Sequence, residues 1–161
     1  ERTGETANLG SAREENVLFV SQVETHASSR ANPPPGTLSP MHASGIGKAL
    51  LSQMPEDRRA RLLDAVGLVR FTDHTLTDPA RLEADLTGAR ARGYAIDDEE
   101  KTEGMRCIAA PVFDLHGEAV AGISVSGPSS RVTEADIPRL AEAVTDAAQD
   151  LSAALGAPDR G

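Results

Sequence analysis

Aromatic side chains make up only 2% of this 161-residue chain: three Phe, one Tyr and no Trp. Its core must therefore be assembled from Val, Ile, Leu and Ala. A single cysteine, Cys107, excludes an intrachain disulfide and fits a reducing, cytoplasmic setting. No apolar run approaches the ~18 residues that a membrane helix requires, and no signal peptide is visible. Positive charge is also short, with 16 Lys and Arg against 25 Asp and Glu and a net charge of -9. Nucleic-acid affinity rests on Lys and Arg meeting phosphates, so this chain is not expected to touch DNA or an anionic membrane by itself. The histidines His26, His42, His74 and His116 lack metal-type spacing. Neither a nucleophile elbow nor a phosphate loop is present. What remains is ordinary globular composition at a length typical of one domain, so residues 1–161 read as a single domain. The sequence begins in mid-pattern at Glu1, and a fragment of a longer protein is expected.

The most informative stretch is residues 94–127. Two apolar runs flank Leu115-His116-Gly117-Glu118, which reads as a β-hairpin. Symmetric closure on His116-Gly117 sets Cys107 opposite Ser126 and Ala109 opposite Ser124. Side chains alternate between sheet faces, so Ile108, Ala110, Val112, Ile123 and Val125 share one face and can pack as core. Cys107, Ala109, Val120, Gly122, Ser124 and Ser126 share the other. Small side chains, hydroxyls and a thiol on one face leave room for a small polar ligand. The reading depends on register, since a one-residue slip exchanges the faces.

Around the hairpin, residues 1–15 are polar and read as a strand or a helix end. Asn16–Thr25 reads as a strand, and Ser28–Pro40 as a loop or short strand broken by Pro33-Pro34-Pro35-Gly36. Ser44–Gln53 reads as a short helix with Ser44 as N-cap, and Pro55–Val66 as a second helix with Pro55 in its first turn. A third helix runs over Asp78–Arg92, capped by Asp78 and ended by Gly93. Tyr94–Glu99 is a strand. Thr133–Leu155 is a closing helix whose start resembles a capping box and whose stripe of Ile137, Leu140, Val144, Ala148, Leu151 and Leu155 faces the core. Strand, helices, strand meander and helix in that order predict an α+β domain: an antiparallel sheet with helices to one side.

With these segments placed, five stretches resemble the effector-binding domain of the isocitrate lyase regulator (IclR) family of bacterial transcription factors. They are Gly4–Leu9 (GETANL), Met41–Leu50 (MHASGIGKAL), Arg92–Glu100 (RGYAIDDEE), Gly104–Val112 (GMRCIAAPV) and Ile123–Pro128 (ISVSGP). They keep the family's order and approximate spacing over nearly the whole chain. The resemblance implies a GAF-like antiparallel sheet with helices packed on it. It implies an upstream winged helix-turn-helix through which alone operator DNA would be bound, and assembly as a homodimer or dimer of dimers. It implies a small organic acid as effector, glyoxylate- or pyruvate-like or aromatic, with no cofactor. The family's ligand contacts carry over to Gly45 and Ile46, at a helix start whose backbone N–H groups suit a carboxylate, and to Asp97, Cys107, Ser124 and Ser126. Leu38 and Met41, just before the helix, read either as apolar pocket walls or, equally, as plain core. Ile46 stands where a smaller residue is common in the family, which bears on pocket size, and the Pro33–Pro35 segment is unusual.

Each residue also has a plainer reading. Gly45 and Gly47 allow tight helix packing, Cys107 is by default a small buried hydrophobe, and Asp97 belongs to an acidic run of the kind usually found on a solvated face. Asp98 is expected to point away from Asp97. Ser124 and Ser126 can bond to local backbone. Lys48 and Arg106 can assist an anion, though an exposed salt bridge is the commoner fate. Three functions follow: a ligand sensor, a ligand-free assembly module, and a small enzyme using Cys107.

Overall fold

The computed structural model describes residues 3–23 and 34–159. Among them, six strands form one antiparallel sheet in the order β3-β2-β1-β6-β5-β4. The strands are β1 (Thr6–Arg13), β2 (Asn16–Val23), β3 (Leu38–Pro40), β4 (Ala95–Asp98), β5 (Met105–Phe113) and β6 (Ala119–Pro128). Helices α1 (Gly45–Gln53), α2 (Glu56–Val66) and α3 (Pro79–Arg92) separate β3 from β4, and α4 (Ile137–Ala154) closes the chain. This is the α+β architecture expected. The polar opening segment resolves as a strand, and β1 becomes a central one, paired with both β2 and β6. The expected strand end at Thr25, the start of the expected loop at Ser28–Pro33 and His26 lie outside the described residues. From Pro34 onward that loop is a turn, closed by the Thr37 N–H donating to the Pro34 carbonyl at 3.2 Å.

The hairpin register places Cys107 opposite Ser126 and Ala109 opposite Ser124, as expected, but the turn reaches it by another route. Asp114 and Glu118 pair across a three-residue loop, and the register shifts between Val112 and Phe113. The shift brings Ala119, not Val120, opposite Phe113, and Ala119 packs with the α1 side of the sheet. A longer loop and a bulge therefore compensate, and the pairing beyond them is that of a symmetric turn.

Helices pack on both faces, not one. Ala109 belongs to a core cluster with Leu50 and Leu51 of α1 and Leu82, Leu86 and Ala89 of α3. Its neighbours Ile108 and Ala110 belong to a second cluster with Leu140, Val144 and Ala148 of α4. Alternation along one strand thus serves two cores. The α4 stripe is largely as expected, except that Leu155 is 42% exposed. Ser152 takes up the end of the helix: its hydroxyl accepts from the Phe113 N–H at 2.9 Å and donates to the Ala148 carbonyl at 2.7 Å. The other helix signals translate directly. Ser44 caps α1, accepting from the Gly47 N–H at 3.2 Å, Asp78 caps α3, Gly93 ends it, and Pro55 is the N-cap of α2.

Helix α1 lies unusually close to its surroundings. A Cβ on Gly47 would stand 2.3 Å from the Met41 carbonyl oxygen, well inside van der Waals contact. Gly47→Ala is therefore expected to destabilise the chain by about 1–2 kcal/mol. Overpacking costs of about 1–3 kcal/mol exceed the roughly 0.5–1 kcal/mol that Ala ordinarily gains over Gly in a helix. Urea denaturation checks this; a stabilised variant would contradict the close approach.

Candidate functional site

Cross-strand pairing builds a polar row on the α1 face of the sheet. Thr6 of β1 is opposite Ser126, Ser126 is opposite Cys107, and Cys107 is opposite Asp97 of β4. One step along, Asn8 is opposite Ser124 and Ser124 opposite Ala109. Directly opposed residues point to the same side, so six polar groups from four strands converge where α1 begins. All but Thr6 border a cavity of about 140 Å³. Asn8, Ser124, Ser126, Cys107 and Asp97 line it from the sheet, and Ala43, Ser44 and Gly45 from the start of α1. Phe19, Thr37, Leu38 and Ser39 close one side; Lys101, Thr102, Met105 and Arg106 close the other.

Of the residues singled out from sequence, Gly45, Asp97, Cys107, Ser124, Ser126 and Leu38 meet at this cavity. Ile46 and Met41 do not line it. The Ile46 side chain is buried over two glycines of the sheet: a Cβ on Gly122 would lie 2.7 Å from Ile46 Cγ2, and one on Gly10 3.2 Å from its Cδ1. Its bulk is thus housed by Gly10 and Gly122 and does not narrow the cavity. Met41 is core, 1% exposed. Leu38 stands at the rim, 55% exposed. Sequence reasoning did not single out Asn8, Phe19, Thr37, Ser39, Lys101 or Thr102. The signal for Asn8 was present: Thr6 and Asn8 alternate with Ala7 and Leu9, the period of a strand whose polar side faces inward.

The helix start meets the sheet through Gly45. A Cβ there would stand 2.6 Å from Cys107 Sγ, so glycine is needed for contact. Burial pushes the Cys107 thiol up to about 12, with the nearby Asp97 adding to the effect, although the Ser124 hydroxyl and the Gly45 N–H both support the sulfur. Asp97 is half-buried, and its Oδ1 accepts from the Glu100 N–H at 2.8 Å. Burial first, then the Glu100 carboxylate, raise its pKa to about 7. The folded chain therefore keeps a proton on Asp97 that an unfolded chain has released, and this group costs stability progressively as pH rises from 3.8 to about 7.

Behind Asp97 sits an ion cluster. Lys48 of α1 is completely buried. Its Nζ donates to the Ile96 carbonyl at 2.6 Å and to Glu100 at 2.9 and 3.1 Å, and lies 2.7 Å from Asp85 Oδ2. Burial disfavours its charge, but Glu100 and Asp85 outweigh that and hold its pKa above the ordinary lysine value. Neither the exposed salt bridge nor the anion contact considered for Lys48 applies. Arg106 does line the cavity, with its guanidinium turned to Asp98 at 2.9 Å and to the Val132 carbonyl. Asp98 itself is exposed, on the far side of β4 from Asp97.

A small cavity between a curled antiparallel sheet and a helix start, lined by both polar and apolar side chains, thus sits within an α+β domain. Residues 1–153 match the family model of the bacterial transcriptional regulator IclR C-terminal domain, and the chain belongs to that family. It is 59% identical over 152 residues to the HTH-type transcriptional regulator BhcR of Paracoccus denitrificans, covering 94% of this chain and 54% of that protein. It is 40% identical over 158 residues to the transcriptional repressor IclR of Escherichia coli, covering 97% and 58%. The crystal structure of Thermotoga maritima IclR superposes with a TM-score of 0.93 at 33% identity, over 96% of this chain and 63% of that one. The chain thus spans little more than half the length of these relatives.

Two measurements probe the site. Lys48→Met leaves Glu100 and Asp85 without their cation, and removing one partner of a buried pair costs about 3–5 kcal/mol; a urea midpoint unchanged by this substitution would contradict the cluster. Alkylation proceeds through the thiolate. With its pKa at about 12, Cys107 is expected to react at least roughly 100-fold more slowly than free cysteine near pH 8, and an equal rate would remove the burial described.

Proposed function

We propose that this domain senses a small organic acid and, through that binding, controls operator binding by an upstream winged helix-turn-helix. The observation that carries the reading is the cavity itself, about 140 Å³ and bordered by buried hydroxyl and amide groups and by the half-buried Asp97 carboxyl. A cavity of about 150 Å³ accommodates benzene, so a glyoxylate- or pyruvate-sized acid suits this volume better than a substituted aromatic acid. The helix start supplies partial positive charge. Support for the upstream element comes from the BhcR relative, named as helix-turn-helix type, of which the chain spans 54%. Homodimers, or dimers of dimers, would carry the signal. Ligand can shift their arrangement only by binding one arrangement more tightly than another. An enzymatic role for Cys107 finds no support, because a thiol held at about 12 is a poor nucleophile at neutral pH.

Thermal melting with millimolar glyoxylate, pyruvate or a hydroxybenzoate tests the reading. At 100 times its Kd a ligand adds roughly 2.7 kcal/mol, or about 5 °C or more for a chain of this size. The small acids are expected to give the shift, and replacing both Ser124 and Ser126 by Ala should reduce it to about 1 °C or less. An undiminished shift in the double variant would remove those hydroxyls from the site, and a shift with the hydroxybenzoate alone would overturn the size argument.

A further inference from the structure

The charge around the cavity raises a difficulty for an anionic ligand. Lys48 is the cation of a cluster in which Glu100 and Asp85 already face it, and Asp97 adds a third carboxyl through its bond from the Glu100 N–H. Both cations in the cavity lining are engaged elsewhere. Arg106 is held by Asp98 and the Val132 carbonyl. The Lys101 ammonium lies 4.8 Å above the centre of the Phe71 ring. On β5 the group facing Asp97 is the neutral thiol of Cys107, and on β6 it is a pair of hydroxyls, Ser124 and Ser126. An ionised ligand entering beside an ionised Asp97 would therefore place two carboxylates together with the nearest cation already shared, an arrangement in which one of the two must take a proton.

We propose, building on the sensing reading above, that a carboxylate ligand binds this site together with one proton, taken from solvent and held on Asp97. The carboxyl O–H then donates to the ligand carboxylate, alongside the hydroxyls of Ser124 and Ser126, and the repulsion becomes a charge-assisted hydrogen bond. Asp97 is already poised for this, being half protonated at about pH 7 in the empty site. The sign follows. Below that pH the proton is in place and affinity is flat. Above it the proton must be acquired on binding, and affinity falls by up to tenfold per pH unit, or roughly thirtyfold between about pH 6 and 8.5.

Isothermal titration of the 161-residue chain with glyoxylate and with pyruvate, both ionised throughout this range, provides the test. At about pH 8 the binding heat should vary with the ionisation heat of the buffer by an amount corresponding to uptake of nearly one proton, and Kd should rise with pH as stated. In Asp97→Asn, whose amide donates without titrating, the pH slope should vanish, so that this variant binds more tightly than the parent at about pH 8.5. Binding of equal strength at both pH values with no buffer-dependent heat would overturn the proton coupling and leave the sensing reading standing. A pH slope that persists in Asp97→Asn would also overturn the assignment to Asp97. Absence of binding by either acid at every pH would overturn both readings.

Discussion

A buried ammonium must be matched by carboxylates and carbonyls or it cannot remain charged, and Lys48 meets that requirement by drawing three separate segments onto one atom. Glu100 comes from the turn after β4, Asp85 from α3 and the Ile96 carbonyl from β4 itself. The first turns of α1 are thereby fixed against the sheet edge that carries Asp97. The glycines of the same helix then set its height: Gly45 rests on Cys107, and Gly47 on the backbone of Met41. Ile46, between them, fills the space left by Gly10 and Gly122. The cavity is what remains between a helix start held this closely and a sheet face whose side chains are too small to fill the gap.

That face is polar at a cost. Asn8, Ser124 and Ser126 are each less than 10% exposed, and burying such groups is unfavourable unless they are bonded. Asn8 Oδ1 accepts from Gln22 at 3.0 Å, while Ser124 supports the Cys107 sulfur. A domain selected for packing alone would place Val or Leu at these positions, as it does one residue away, where Ile108, Val125 and Val112 meet α4. Both faces of one hairpin therefore pack as core, and only the α1 face, beyond Ala109, also leaves a space bordered by polar groups.

The sequence carried the elements that obey a single rule. The α3 boundaries follow from its caps and the β5–β6 register from the alternation of small and branched residues, whereas the Thr133 capping box starts a 3-10 turn over Glu134–Asp136 and α4 itself begins only at Ile137. Elements where function alters the pattern were harder to read. β1 left strand and helix open because its inward side chains, Thr6 and Asn8, are polar, which mimics a surface segment. Helices on both sheet faces were not foreseen, because the face of small and polar side chains reads as open space for a ligand and not as a surface on which α1 and α3 pack. The site residues came from two sources: Ser124, Ser126 and Cys107 from strand period, Gly45 and Asp97 from family resemblance. Resemblance alone also brought in Ile46, whose burial depends on the glycines facing it, while Met41, for which core and pocket wall were equal readings, proves to be core. Lys48 was misjudged because nothing local announces partners located 37 and 52 residues further along the chain.

The same arrangement restricts where a bound ligand can produce motion. The α1 start and the strands β4, β5 and β6 are tied by the Lys48 cluster and by continuous pairing, so they offer little give. The remaining walls are different in kind. Strand β3 is three residues long and, among the described residues, pairs with β2 at the edge of the sheet, and Lys101 and Thr102 belong to a turn between strands. Short, partly exposed segments of this kind open at lower free energy than a sheet centre. Under the sensing reading, an acid touching both the rigid polar row and these looser walls draws the walls inward. On that reading the difference in affinity between domain arrangements arises at the β3 side and at the 101–104 turn, not in the row that would contact the acid. Under the sensing reading, recognition and response occupy different walls of one small cavity.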